Sequence, residues 1–167
     1  MAVFKSVVLG AAAGAAGTLG MDLLWYSRFK RGGGSEPFVD WETSKGLEGY
    51  EKAPAPARTA KAVAGLVGID LPESSARLAN NTVHWVTGIG WGKAHGFAAG
   101  ALGTANPLLG LGTAVVAWAT SYVVLPQLGV YKPITEYDRE VLWQDLSAHL
   151  VFGLTAGVFY RMFTKRR

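Results

Sequence analysis

Four stretches of the chain stay apolar long enough to cross a hydrocarbon core, which takes roughly 20 residues. They run at about 4–26, 82–103, 108–128 and 142–163. Small residues recur at every fourth position within them. The first carries Ser6, Gly10, Gly14, Thr18 and Asp22; the second His84, Gly88, Gly92, Gly96, Gly100 and Thr104; the last His149, Gly153 and Gly157. In water each helical glycine costs about 1 kcal/mol against alanine. In a bilayer the same rows let helices approach backbone to backbone. The pattern predicts an all-α fold: an integral membrane four-helix bundle, one domain over 1–167. A strict every-fourth row advances about 40° per step, so between His84 and Thr104 it winds about 200°. Two contacts are expected along it, with Gly88 facing the partner of His84, and Gly100 and Thr104 turned to a different helix or a second protomer.

The links differ in kind. Residues 104–107 form a tight uncharged turn, so the second and third helices are expected to make an antiparallel hairpin, and Pro126 and Pro133 terminate the third. The first link, about 30–80, is long and mixed. It has a glycine-rich turn at 31–35 and a stiff Ala-Pro-Ala-Pro piece at 53–56. At about 58–68 comes a short helical pattern, Lys61 polar and Val63, Leu66 and Val67 apolar, expected to lie in the membrane interface. Asn80, Asn81 and Thr82 offer N-cap chemistry for the second span. His84 and His149 each head a His-x3-Gly-x3-Gly row, a faint internal repeat that two related hairpins would explain.

Composition supports the membrane assignment. Half of the residues are hydrophobic, 17% are charged, and there is no cysteine, which removes disulfides and thiol chemistry. The net charge of +4 does not point to nucleic acid. Its cations flank apolar segments, with Arg28, Lys30 and Arg31 after the first and Arg161, Lys165, Arg166 and Arg167 at the end of the last. The N-terminal apolar run is read as a retained helix rather than a cleaved signal, because it is long enough to span, contains Asp22 and stops at a basic cluster. The two clusters fall on opposite faces of a four-span protein. The C-terminal one, beside its span with no acids, is taken as cytoplasmic.

Ionisable groups inside spans are expensive and are functional candidates by default. Chain direction gathers Asp22, His84, Asp145 and His149 in one layer beneath one face, at the level of Trp25, Trp85, Tyr122, Tyr131 and Trp143. Asp145 and His149 stand at i, i+4 on one helix face. This layer suits a metal, a proton-handling pair or a small ligand; equally, Asp–His bonds could fix helix register. Two histidines on different helices also raise bis-histidine haem b. His95 lies deeper, with no evident partner on another helix. Lys93 projects opposite to His84 near mid-membrane and needs an acid, a carbonyl or a water-filled cavity. The run Gly88-Ile-Gly90-Trp-Gly92-Lys93 lacks both the spacing of a phosphate loop and its following Ser or Thr. No serine sits in a nucleophile elbow. No enzyme is predicted, and no cofactor beyond the metal or haem alternatives.

The segment 81–161 resembles the YagU-like family, a domain of unknown function in small bacterial inner-membrane proteins. The resemblance rests on His84-Trp85-Val86-Thr87-Gly88, on Leu125-Pro126 with Gly129 and Pro133, and on Asp145-Leu-Ser-Ala-His149-Leu-Val-Phe-Gly153. It implies a multi-pass protein of the bacterial inner membrane with no established reaction, and it places His84 and His149 on the family pattern. Two functional readings follow. One is a non-enzymatic packing module, a homo-oligomer or accessory subunit of a larger membrane complex, held in the lipid bilayer by its glycine rows. The other is a ligand-handling protein working through Asp22, His84, Asp145 and His149.

Overall fold

The computed structural model describes residues 3–165 and is all-helical over them, with no strand. Six helices follow in order: α1 (Val3–Arg31), α2 (Phe38–Glu42), α3 (Ala55–Leu66), α4 (Ala76–Ala101), α5 (Leu109–Gln127) and α6 (Arg139–Lys165). By length and composition α1, α5 and α6 are apolar enough to cross a membrane. α4 has the length, 26 residues, but Asn80, Asn81, His84, Lys93 and His95 leave it too polar to qualify. Arg166 and Arg167, which complete the C-terminal basic cluster, lie outside the described residues.

The glycine rows pair with each other, and they do so within one chain. α1 and α4 run antiparallel, with Ser6 against Gly100, Gly10 against Gly96, Gly14 against Gly92 and Thr18 against Gly88. The next step of four in that register is the hydrogen-bonded pair Asp22 and His84. The approach is so close that a Cβ added to Gly14 would sit 2.6 Å from the Gly88 carbonyl oxygen and 2.7 Å from Gly92 Cα. The expectation of two partners along the second row is corrected: Gly88 and Gly100 both face α1. Every-fourth rows are the ridges of oblique helix packing, and two such ridges laid together follow each other as they wind.

The row of the last segment repeats the device on another pair. Gly153 of α6 meets Gly110 and Ala114 of α5, and Gly157 meets the backbone of Pro107. α1 also packs along α6, where Gly17 lies against Phe152 and Gly20 against Thr155. The interior is accordingly rich in small residues, among them Ala13, Ala99, Ala114, Ala117, Ala148 and Ala156, with Phe152 and Tyr160 its large members, while Phe4, Leu23, Val86, Phe97, Leu102 and Val123 are exposed.

The α4–α5 hairpin is antiparallel as expected, but it is splayed. α4 meets α5 far less than it meets α1. Near the shared turn the two helices are joined by the His95 Nδ1 and Thr113 Oγ1 bond at 3.3 Å; beyond it they part. Gly103 and Gly129, at φ 61° and 67°, supply the left-handed residue that stops α4 and α5. The Thr104 N–H then donates to Ala99 O at 2.9 Å and the Val130 N–H to Leu125 O at 3.0 Å, the bonds of a Schellman end.

The first link folds back as a cover. α4 starts at Ala76, six residues before the predicted Thr82, and Asn80 and Asn81 lie inside it rather than capping it. They hold the cover instead: Asn80 Nδ2 donates to Ser44 Oγ at 2.9 Å and Asn81 Nδ2 to Thr43 O at 3.0 Å, beside Arg77 Nε to Thr43 O at 2.9 Å. Tyr50, Ala53 and Ala57 pack on Ala76, forming a small core between α3 and the extended start of α4. The predicted helix at 58–68 is α3, begun three residues earlier behind Pro54. Its Val63 and Leu66, with Val67 and Ile69 just beyond it, are exposed.

Gly14→Ala and Gly92→Ala are expected to destabilise the protein by about 1–3 kcal/mol or more, the cost of overpacking a filled interface. Gly90→Ala and Gly112→Ala, whose added Cβ meets nothing within 4 Å, should be neutral or slightly stabilising through helix propensity. Thermal unfolding of the four variants in detergent measures the contrast.

Candidate functional site

The parting of α4 and α5 leaves a chamber of about 360 Å³ that all four long helices line. α4 contributes His84, Thr87 and Trp91; α6 contributes Asp145, His149 and Phe152; α1 contributes Thr18 and Trp25. Ala55, Pro56 and Thr59 of α3 lie over it. Of the four residues expected in one layer, His84, Asp145 and His149 face this one space. The fourth, Asp22, is only 3% exposed and sits behind His84.

The imidazoles are set differently. His84 Nε2 lies 3.0 Å from Asp22 Oδ2. A carboxylate only accepts, so Nε2 carries the proton and donates. His149 Nδ1 donates to the Asp145 backbone carbonyl at 3.0 Å and lies 3.5 Å from Asp145 Oδ1. That bond fixes the proton on Nδ1 and leaves Nε2 with a free lone pair, the form in which histidine accepts a proton or ligates a metal. Bis-histidine haem needs two ring nitrogens facing each other across the iron. His84 turns its Nε2 to Asp22, which leaves its Nδ1 as the nitrogen open to a ligand.

Asp145 Oδ2 is closed to solvent and has no hydrogen-bond partner. Behind the chamber, Tyr122, Tyr131 and Tyr137 pack ring to ring with centroids 5.3, 5.4 and 6.1 Å apart. Tyr131 also lines the chamber. Burial, with Asp145 nearby, pushes its hydroxyl up to about 12, so it remains a neutral donor at physiological pH.

Glu42 is the residue that sequence reasoning missed. One ligand atom each from Asp22, Glu42 and His84 lies within 4.8 Å of the others, a grouping that could hold a metal ion. Glu42 arrives from the cover, on the short helix α2. Trp41 beside it packs against Tyr26 and Phe29 of α1, at centroid distances of 5.5 and 6.0 Å, and so delivers Glu42 to the other two. Its Oε1 is closed to solvent and unpartnered. No spacing in the sequence links position 42 to 22 and 84; the only signal is an acid next to a tryptophan in the first link.

The remaining ionisable residues fall elsewhere. His95, 2% exposed, has the partners that were not expected: Thr113, and Tyr160, whose ring stands edge-on at 5.2 Å. Lys93 is exposed on the outer side of α4, opposite His84 as predicted. Glu136, Asp138 and Glu140 are exposed in and after the third link, remote from Lys93.

No family model matches this chain, and neither a curated protein nor a solved structure gives a match.

Burial, reinforced by the charge of Asp22, raises the Glu42 carboxyl above its ordinary value of 4.5. The folded protein thus holds that proton more tightly than the unfolded chain. The stability it contributes is complete below 4.5 and is lost as pH rises through the raised value. In metal-stripped protein, Glu42→Gln should therefore raise the unfolding midpoint at pH 7 and lose that advantage near pH 4. Equal midpoints at both pH values would contradict it.

Proposed function

We propose that this chain is a four-span membrane protein that binds a small cationic ligand in the chamber under its 32–75 cover. The observation that carries the reading is the chamber itself, where His84, Asp145 and His149 meet the aromatic walls of Trp25, Trp91 and Tyr131. None of its lining residues is Lys or Arg; the Arg28 guanidinium covers one face of Trp25 at 4.8 Å, which leaves Trp91 and Tyr131 beside Asp145 as the free aromatic faces. Aromatic faces beside an acid suit an organic ammonium ion, attracted by both charge and ring quadrupoles. The volume lies within the usual range for small-molecule sites.

Membrane spanning is supported by an interior of small residues and an exterior of large apolar ones, the reverse of what water selects. α4 joins α1, α5 and α6 as a fourth span because its row is locked to α1 along its length. The apolar positions of α3 suit the interface beside the bundle. Placement in a bacterial inner membrane, with the C-terminus cytoplasmic, follows from the YagU-like resemblance and the C-terminal basic cluster. The packing role of the glycine rows is satisfied inside one chain, so a homo-oligomer built on them loses its carrier. No reaction is assigned.

A second reading is favoured by the convergence of Asp22, Glu42 and His84: a divalent cation held there would clamp the cover to α1 and α4. Two carboxylates and an imidazole suit Mn²⁺ or Zn²⁺. Thermal unfolding of chelator-treated protein distinguishes the two. Small quaternary ammonium ions should raise the midpoint in proportion to the logarithm of their concentration above Kd, by an amount equivalent to about 2.7 kcal/mol at a hundredfold excess over Kd. Asp145→Asn and Trp91→Leu should abolish that response. A rise with Mn²⁺ or Zn²⁺ that Glu42→Gln removes and Asp145→Asn spares would select the metal reading. A midpoint that no cation of either class moves would refute both.

A further inference from the structure

α4 has an outward face that lipid does not suit. Lys93 is exposed there, between exposed Val86 and Phe97, while Gly92, His95, Gly96 and Ala99 point inward. The zipper register fixes its depth, since neighbouring Gly92 opposes Gly14 at the middle of α1. Counting 1.5 Å per residue, Lys93 lies about 15 Å from either end of the 82–103 span, the middle of a hydrocarbon core. A lysine stem does not reach water from there. Left against lipid, the charge is costly, and such groups find a partner or a water-filled cavity.

This chain offers no counter-ion at that depth. Among the described residues Lys93 makes no salt bridge. Asp22 and Asp145 lie at the level of His84, more than two turns of helix away and on the inner side. A second copy would bring the same acid-free face and set lysine near lysine. Beside Lys93, Gly90 and Ala94 form a small-x3-small pair that is still unspent: both are exposed, and a Cβ on Gly90 would meet nothing within 4 Å. Such a pair admits a neighbouring helix at close range. α4 is also the one long helix too polar to qualify as a span by itself.

We infer that the outer face of α4, centred on Gly90, Lys93 and Ala94, docks a transmembrane helix of a partner protein that carries an Asp or Glu at mid-bilayer depth, paired with Lys93. Docking of this kind presupposes that α4 spans the membrane, and the test separates the two.

Full-length protein carrying a donor dye on Glu51→Cys, in phosphatidylcholine vesicles, is titrated with acceptor-labelled leucine–alanine transmembrane peptides bearing one central Glu, Gln or Leu. Energy transfer should report at least tenfold tighter association of the Glu peptide than of the Leu peptide. Lys93→Met should erase the preference without lowering the unfolding midpoint, and Lys93→Arg should keep it. Equal binding of the three peptides overturns the docking face. In parallel, Lys93→Cys should resist a membrane-impermeant maleimide that labels Glu51→Cys. Free labelling overturns the span and the docking face with it, whereas protection combined with equal binding overturns the docking face alone.

Discussion

The closeness of two backbones governs this bundle. α1 and α4 meet at residues with little or no side chain, and the Asp22–His84 bond closes the row at one end. Close approach replaces bulk as the source of packing, because dispersion contacts between backbones need no large side chains between them. It also decides where the large apolar residues go. With the zipper filled by glycine, alanine, serine and threonine, most of the large apolar residues are left on the outside, Phe152 and Tyr160 being the large side chains the interior keeps.

The chamber is a by-product of that commitment. α4 cannot hug α1 along its length and also stay against α5, so the hairpin opens beyond His95 and Thr113 and exposes polar groups on facing walls. The cover then has something to close. Its anchors are themselves products of the α1–α4 pairing: the aromatic cluster at Tyr26 and Phe29 grips α2, and the emergent first turns of α4 grip the 43–44 turn and α3. Asp22, Glu42 and His84 thus belong to three elements that meet only when the zipper is formed.

Much of this was legible from periodicity. Six of the eight ends of the four long helices fall within three residues of their apolar runs, the end of α1 and the start of α4 being the exceptions, and chain direction alone puts Asp22, His84, Asp145 and His149 toward one end of the bundle. What periodicity does not encode is the partner. A winding row looks like two faces until the other helix is known to carry a matching row, and nothing in the spacing of Ser6 to Asp22 says that it pairs with His84 to Gly100. The early start of α4 was hidden because Ala76 to Asn81 is a polar stretch whose partners lie in the cover, not in an apolar face. Glu42 and the His95–Thr113 bond were invisible for a related reason: each depends on where a distant segment is carried by other contacts.

The order of synthesis gives the zipper one more consequence. Asp22 and His84 are 62 residues apart, with the whole cover between them. At 5–20 residues per second, α1 must wait about 3–12 s before His84 is even made. During that interval its small-residue face and its carboxylate have no mate, so for seconds the chain carries a half-finished interface whose second half is not yet made.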